Sequence, residues 1–242
     1  IEGMMLAAAF GAAITASATG SLWIGLLCGI LTGALFGAIH AVISIRYEVD
    51  QIVGGTFINI FALGLTSYLT VRVLVEYSHL NQPGTFRPFE IPLLVEIPFL
   101  GPLLFSQNVF GFLMFGLVAF LAWALFNTRW GLRVRSVGEH PRAADTVGIS
   151  VHFIRYRNVI LGGMVAGLGG AWFTLGSAGR FDQNMTNGKG FIALAAMIFG
   201  RWHPVGALIA ALIFGFSEQL NDYLALLDTP IPSEFLLMAP YV

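Results

Sequence analysis

The chain has 242 residues, of which 57% are hydrophobic and only 10% are charged, and its mean hydropathy is +0.80. A typical soluble domain is about a quarter charged, so this composition excludes a soluble fold and indicates several bilayer crossings. The net charge of -1 excludes the basic surface that nucleic-acid binding requires. Cys28 is the only cysteine, which excludes an internal disulfide and a cysteine-based metal site.

Seven apolar segments follow one another along the chain. We designate them A to G: residues 4–18, 22–45, 53–75, 109–126, 159–175, 191–199 and 205–216. A spanning helix needs about 20 apolar residues, and at about 1.5 Å per residue segment F reaches only half of the hydrocarbon thickness. The pattern predicts an all-α, polytopic transmembrane bundle in which F–G is a broken or re-entrant pair of half-helices.

Arginines fix the predicted orientation. The connection between D and E, residues 127–158, is expected to be cytoplasmic because it carries half of the chain's twelve basic residues. Counting from there places the B–C connection inside and residues 76–108, 176–190 and 218–234 outside. The six arginines of the cytoplasmic connection are Arg129, Arg133, Arg135, Arg142, Arg155 and Arg157.

Small residues recur at helical spacing in two segments. Segment B has glycine at every fourth position from Gly25 to Gly37, and segment E repeats the spacing at Gly163 and Gly167. Such faces let neighbouring backbones approach closely. We expect tight helix packing within one subunit, and faces that slide during transport are the alternative.

Segment C carries a polar stripe within an arc of about 100°. Buried polar groups in hydrocarbon need partners or water, so the stripe faces protein or a substrate pathway. Asn59 is either a pathway residue or an interhelical hydrogen-bond partner, whereas the hydroxyls can bond their own helix. The candidate pathway residues are Thr56, Asn59, Thr66 and Ser67.

Two further features concern transport. No carboxylate lies near the middle of a long apolar segment, which argues against a proton-coupled carrier. Residues 3–11 and 190–200 resemble each other in spacing and composition, and each is followed by a tryptophan and a Gly-Ala-Leu helix. This similarity indicates either an inverted repeat, in which the first copy starts inside and the second outside, or a chance resemblance.

The cytoplasmic connection contains signals for one short helix. Pro141 suits a first helical position and Gly148 a left-handed terminator, which predicts a helix over residues 142–147. Two turns are too few to be stable alone, so this helix must dock on something. It is either an amphipathic connector on the membrane surface or a coupling helix that inserts into an ATPase subunit.

Several motifs carry a family resemblance. Residues 131–151, GLRVRSVGEHPRAADTVGISV, closely resemble the cytoplasmic signature of bacterial ABC importer permeases for simple sugars, nucleosides and branched-chain amino acids (ribose-permease-like). EGMML at residues 2–6, DQIVGG at 50–55 and NGKGFIALAAMIFGRWHPVGAL at 187–208 resemble further signatures of this family. The motifs ADTVGI and DQIVGG are most similar to the corresponding motifs of nucleoside permeases.

This resemblance implies one permease domain over residues 1–242, truncated at both ends, in a bacterial cytoplasmic membrane. It implies a second permease subunit (a related chain in a heterodimer, with a homodimer as the alternative), a separate ABC ATPase and an extracytoplasmic substrate-binding lipoprotein, with no cofactor, metal or bond chemistry in the permease. The residues implied in ATPase coupling are Arg135, Glu139, His140, Pro141, Arg142, Ala144, Asp145 and Gly148.

Two other functions compete with the permease. One is an ATPase-independent secondary transporter or channel for small polar solutes, and the other is a membrane-embedded enzyme. The sequence has no Walker-type phosphate loop and no nucleophile–base constellation, which disfavours an enzyme. The substrate itself is left open between nucleosides and simple sugars.

Overall fold

The structure, a computed structural model, describes residues 1–90 and 105–226 and is an all-α bundle, as predicted. Its helices are α1 (Glu2–Thr19), α2 (Leu22–Ala41), α3 (Gln51–Leu69), α4 (Val109–Asn127), α5 (Arg129–Glu139), α6 (Pro141–Thr146), α7 (Val151–Ala171), α8 (Lys189–Phe199) and α9 (Pro204–Leu226). The π-helical turns Val42–Arg46, Thr70–Leu74 and Trp172–Ala178 prolong α2, α3 and α7, and a 3-10 turn covers Ser78–Asn81. Strands β1 (Phe89–Glu90) and β2 (Ser106–Gln107) form a short antiparallel pair.

Four helices of the described part are long and apolar enough to cross a membrane: Leu22–Arg46, Gln51–Leu74, Val109–Asn127 and Val151–Ala178. They correspond to segments B, C, D and E. The last begins eight residues before its predicted start. The guanidinium of Arg157 lies 5.7 Å from the ring of Trp130 and 5.6 Å from that of Phe153, so aromatic faces accommodate a charge that hydropathy alone excludes from a helix.

Helix α1, the predicted segment A, is the centre of the bundle. Six of its seven alanines are almost fully buried and pack among α2, α3 and α7, whereas Ala18 near its end is exposed. Because alanine side chains are small, the neighbouring helices can approach the backbone of α1 closely. The left-handed Gly20 (φ 66°) ends the helix.

The glycine faces of α2 and α7 pack against each other, which confirms the expectation of tight packing within one subunit. A Cβ atom built at Gly33 would overlap the carbonyl oxygen of Gly163 and lie 2.7 Å from the Cα atom of Gly167. A Cβ at Gly163 would overlap Gly33 and lie 2.9 Å from the Cα atom of Gly37. Only glycine permits this approach of the two backbones.

The outer end of α1 meets the connection that follows α3. The hydroxyl of Ser17 accepts a hydrogen bond from the N–H of Gln82 (3.1 Å). Asn81 exchanges two hydrogen bonds with the backbone of Phe181 (2.7 and 2.9 Å), and the Phe181 ring packs edge-on against Phe10 at 5.1 Å. The predicted external segments 76–108 and 176–190 therefore meet, where described, at one end of α1.

Below this point the chain descends beside α1 without forming a helix. Met185 packs on the cluster around Leu6 and Phe10, Thr186 is fully buried, and α8 begins at Lys189. The second half of the connection predicted to be external therefore lies at membrane depth. The prediction failed there because this irregular backbone is polar in sequence yet enclosed by protein, the condition under which such backbone is tolerated in a membrane.

The turn between α8 and α9 lies at the opposite end of the bundle, which the arginines predict to be cytoplasmic. The ring of His203 stacks on Phe126 at 4.7 Å, and Phe126 belongs to the last turn of α4, just before the arginine-rich connection. The chain from 179 to 199 thus completes one crossing, as an irregular segment plus a half-helix, and α9 runs back outward. Segments F–G form a broken crossing and not a dip that returns to its own side.

Candidate functional site

The first turn of α1 is held by Asn59. The side-chain oxygen of Asn59 accepts a hydrogen bond from the N–H of Gly3 at 2.8 Å. Asn59 lies eight residues after Gln51, the first residue of α3, which is about 12 Å along the helix axis. Helix α1 therefore begins well inside the membrane, and one of its unpaired N–H groups is satisfied there by α3.

Helix α8 begins beside this point. The carboxylate of Glu2 accepts hydrogen bonds from the N–H groups of Gly188 (2.9 Å) and Gly190 (2.5 Å). Lys189 is ten residues from the cytoplasmic end of α8, or about 15 Å, which agrees with the depth of Asn59. Two helix starts therefore meet near the middle of the bilayer, and the acid of one caps the other.

An ion pair lies on the other side of the α8 start. The ammonium of Lys189 contacts the carboxylate of Glu218 in α9, and both side chains are about one-third exposed. Glu218 is fourteen residues from Pro204, or about 21 Å along α9 from the turn that joins α8 to α9.

Glu2 and Glu218 stand at the edges of the shorter apolar segments A and G, so neither is a carboxylate near the middle of a long apolar segment. The placement of residues 218–234 outside is wrong at Glu218, and residues 227–234 lie outside the described part. Hydropathy missed both acids because each stands at the edge of an apolar segment, whereas the helix starts and Lys189 compensate their charge.

The two similar hairpins, α1–α2 and α8–α9, run in opposite directions from this junction. The far end of α1 reaches the outer connection, and the far end of α8 reaches the cytoplasmic turn. Opposite directions are what an inverted repeat requires. The sequence predicted that the first copy starts inside and the second outside, whereas α1 and α8 start at the same depth.

The hydroxyls of the predicted polar stripe bond their own helix. Thr56 donates to the carbonyl oxygen of Ile52 (2.9 Å) and Thr66 to that of Ala62 (2.8 Å). Thr66 is 3% exposed, Ser67 is half-buried and Thr56 is exposed. Of the four predicted pathway residues, Asn59 alone makes a side-chain hydrogen bond to the junction of the helix starts in the described part of the chain.

The arginine-rich connection contains two helices where one was predicted. Helix α5 precedes α6, and the hydroxyl of Thr128 caps it by accepting from the N–H of Gly131 at 3.2 Å. Pro141 is the first residue of α6 and Gly148 is left-handed (φ 82°), as predicted. The predicted bounds of 142–147 are one residue late at both ends.

Helix α6 docks on its own chain through one residue. Ala144 is buried against Val137 of α5 and Ile154 of α7. The remaining side chains of the helix are wholly or partly exposed, and Val147 just after it is 73% exposed. Of the predicted coupling residues, Glu139, His140 and Ala144 line a cleft of about 240 Å³ beside α6, whereas the guanidinium of Arg135 lies 5.1 Å from the ring of Phe126.

Sequence reasoning missed Glu2, Lys189 and Glu218 as site residues. Glu2 and Lys189 stand inside the motifs EGMML and NGKG, and both motifs open the two similar hairpins. A charged residue at the start of each copy was the available signal. Nothing local marks Glu218, because its partner is 29 residues away.

These features define a multi-pass α-helical membrane protein with a half-helix that starts at membrane depth and a short exposed helix in the arginine-rich connection. The chain belongs to the family described as the permease component of the branched-chain amino acid transport system, which matches residues 1–240. This confirms the family that the motifs predicted.

Three relatives illustrate the similarity. The guanosine ABC transporter permease protein NupQ of Bacillus subtilis is 43% identical over 206 residues, and the nucleoside ABC transporter permease protein NupC of Lactococcus lactis is 43% identical over 207. Each alignment covers 84% of this chain and 65% of the relative, so the chain spans somewhat under two thirds of their length. The glucose ABC transporter permease protein TsgB13 of Haloferax volcanii is 29% identical over 180 residues, with 72% of this chain and 47% of that protein covered. No solved structure shows significant similarity.

Proposed function

We propose that the protein is the translocating permease subunit of an ATP-binding cassette importer for nucleosides, with simple sugars as the second substrate class. It acts in the bacterial cytoplasmic membrane, and ATP is hydrolysed by a separate ATPase subunit. A second permease subunit, preferably a related chain in a heterodimer, completes the pathway, and an extracytoplasmic lipoprotein delivers the substrate. The permease itself performs no bond chemistry.

Helix α6 carries this proposal. It is short, docks on its own chain only through Ala144, and presents exposed side chains between two membrane helices. A helix of six residues is not stable alone, so α6 stays helical only because it packs against other parts of the protein. The exposed face supports docking of an ATPase through the predicted coupling residues.

Helix α7 links that surface to the membrane junction. Its Ile154 contacts the docked α6, and further along the helix Thr174 donates a hydrogen bond to the carbonyl oxygen of Ala9 in α1 (3.3 Å). The tight α2–α7 contact leaves little room for one helix to move alone. A displacement of α6 is therefore transmitted to α1, and so to the contact between Glu2 and α8.

The pathway in this proposal borders the junction of the helix starts. Asn59 stands at its edge, and Thr56, Thr66 and Ser67 continue the same stripe of α3 toward both sides. The junction supports this placement because polar backbone at membrane depth is found where it is enclosed by protein or lines a cavity. Access switches when the Glu2–α8 contact differs between two states of the transporter.

The test uses the full-length permease expressed with its ATPase and second permease. We expect Arg142→Glu, on the exposed face of α6, to reduce co-purification of the ATPase and ATP-dependent nucleoside uptake by about tenfold or more, since reversing one interfacial charge costs several kcal/mol. Arg129→Glu is the matched control, because it is exposed in the same arginine-rich connection but outside α6. Uptake by proteoliposomes in the absence of ATP and ATPase would refute the proposal in favour of a secondary transporter or channel.

A further inference from the structure

A cleft of about 380 Å³ lies between the start of α5 and the start of α7. Its walls carry two arginines, Arg133 and Arg157, together with Trp130, Ser150 and Phe153. No acidic residue lines it. The cleft is separate from the membrane junction, and it adjoins the smaller cleft beside α6, with which it shares Val147 and Ile149.

Arg157 has hydrogen-bonding capacity left over. Its Nε atom is buried and has no hydrogen-bond partner in the structure, although the rings of Trp130 and Phe153 cover the guanidinium. A buried donor without an acceptor costs about 1–3 kcal/mol, so a small rearrangement that brings this guanidinium to an acceptor in the cleft would be favoured. An arginine fork is well matched to two oxygens of a phosphate.

The surroundings add positive potential. The connection from 127 to 158 holds six arginines and two carboxylates. The two ion pairs of the described residues, Arg180–Asp182 and Lys189–Glu218, involve none of these arginines. Helix α7 starts at the cleft, and the side chain of Ser150 does not cap it, so its free N–H groups contribute further.

The apolar rim indicates where the anion comes from. Phe153 is 62% exposed in the first turn of the spanning helix α7, and Leu132, next to Arg133 on α5, is 61% exposed. Aromatic and aliphatic side chains at this level are typical of the membrane interface. A soluble anion makes no favourable contact with this apolar rim. A lipid, in contrast, places its phosphate in the cleft and its chains along the apolar side chains.

We propose that this cleft binds the phosphate of an anionic phospholipid of the cytoplasmic leaflet. Basic pockets at the cytoplasmic ends of membrane helices suit such headgroups, and each arginine near an anionic surface contributes about 1 kcal/mol. The bound lipid anchors α5 to the start of α7, and thus holds the base on which α6 docks. The site depends on the cytoplasmic orientation of this connection and is independent of the substrate.

The assay is quenching of Trp130 fluorescence in the full-length transporter, in mixed micelles that contain brominated phosphatidylglycerol or brominated phosphatidylcholine. The signal of Trp130 is the difference from the Trp130→Phe variant. We expect phosphatidylglycerol to quench at a mole fraction about thirtyfold lower than phosphatidylcholine, as two arginines at about 1 kcal/mol each require. Arg133→Gln/Arg157→Gln should abolish this preference, and Arg129→Gln, which lies outside the cleft, should keep it.

Four outcomes would overturn the proposal. Equal quenching by the two lipids would show no headgroup selectivity, and an equal loss in Arg129→Gln would show only a diffuse basic field. Relief of quenching by millimolar sodium phosphate would identify a free anion as the ligand. Loss of ATPase co-purification in the double variant, with unchanged lipid preference, would assign the cleft to the ATPase.

Discussion

The contact between Glu2 and α8 can be tested with one isosteric change. Glu2→Gln keeps the size of the side chain but leaves one carbonyl oxygen where two carboxylate oxygens accept from Gly188 and Gly190. The new side-chain NH2 group is itself a donor, so one of the two backbone N–H groups then faces a donor instead of an acceptor. The backbone cannot shift to relieve this, because a Cβ built at Gly190 lies only 2.6 Å from the Cα atom of Glu2.

The expected cost follows from the hydrogen bonds lost. A hydrogen bond to a charged group contributes about 1.5–3 kcal/mol, and an unsatisfied buried N–H costs about 1–3 kcal/mol. Glu2 is half-buried, so solvent screening reduces the sum, and we expect a loss of about 2–4 kcal/mol. For a chain of this size, 1 kcal/mol corresponds to about 2–4 °C in melting temperature.

The assay is the melting temperature of the purified full-length protein together with nucleoside uptake by the assembled transporter. Glu2→Gln should lower the melting temperature by about 5–10 °C and impair uptake. Glu48→Gln, in the exposed turn between α2 and α3, is the control and should change neither. Equal melting temperatures for the two variants would refute the conclusion that Glu2 holds the start of α8.

Two further predictions concern packing and the pathway. Gly163→Ala should lower the melting temperature because its Cβ overlaps Gly33, whereas Gly162→Ala, one residue earlier with open space around it, should be neutral or slightly stabilising, since alanine favours a helix over glycine by about 1 kcal/mol. Equal effects of the two would contradict the tight α2–α7 contact. Asn59→Leu should impair uptake while the permease still assembles with its partners, because it removes the acceptor of the Gly3 N–H; unchanged uptake would make Asn59 a packing residue only.

Features that depend on local sequence were predicted well. The apolar lengths of segments B to D give the observed spans, and Pro141 and Gly148 mark the ends of α6 because helix-terminal preferences act over a few residues. The glycine spacing predicted tight helix packing for the same reason, since one face of one helix determines how closely another can approach, but it did not identify α2 and α7 as partners.

Features that depend on distant contacts were not predicted. Glu2 and Gly190 are 188 residues apart, and only the folded bundle makes the acid a cap for α8. The start of α7 was placed too late because hydropathy treats Arg157 as a loop residue, whereas Trp130 and Phe153 shield its charge. In both cases a charged group is compensated by a partner that no local pattern reveals.

Changes near the two ends of α7 are expected to impair the transporter in different ways. Its cytoplasmic end carries Ile154 against α6, and its outer end carries Thr174 against α1. A change at α6 should therefore separate the ATPase from the permease, whereas a change at Glu2 should leave the ATPase bound and stop transport. Because one rigid helix joins the two sites, ATP hydrolysis that continues without uptake is the expected signature of Glu2→Gln, and loss of both is the expected signature of Arg142→Glu.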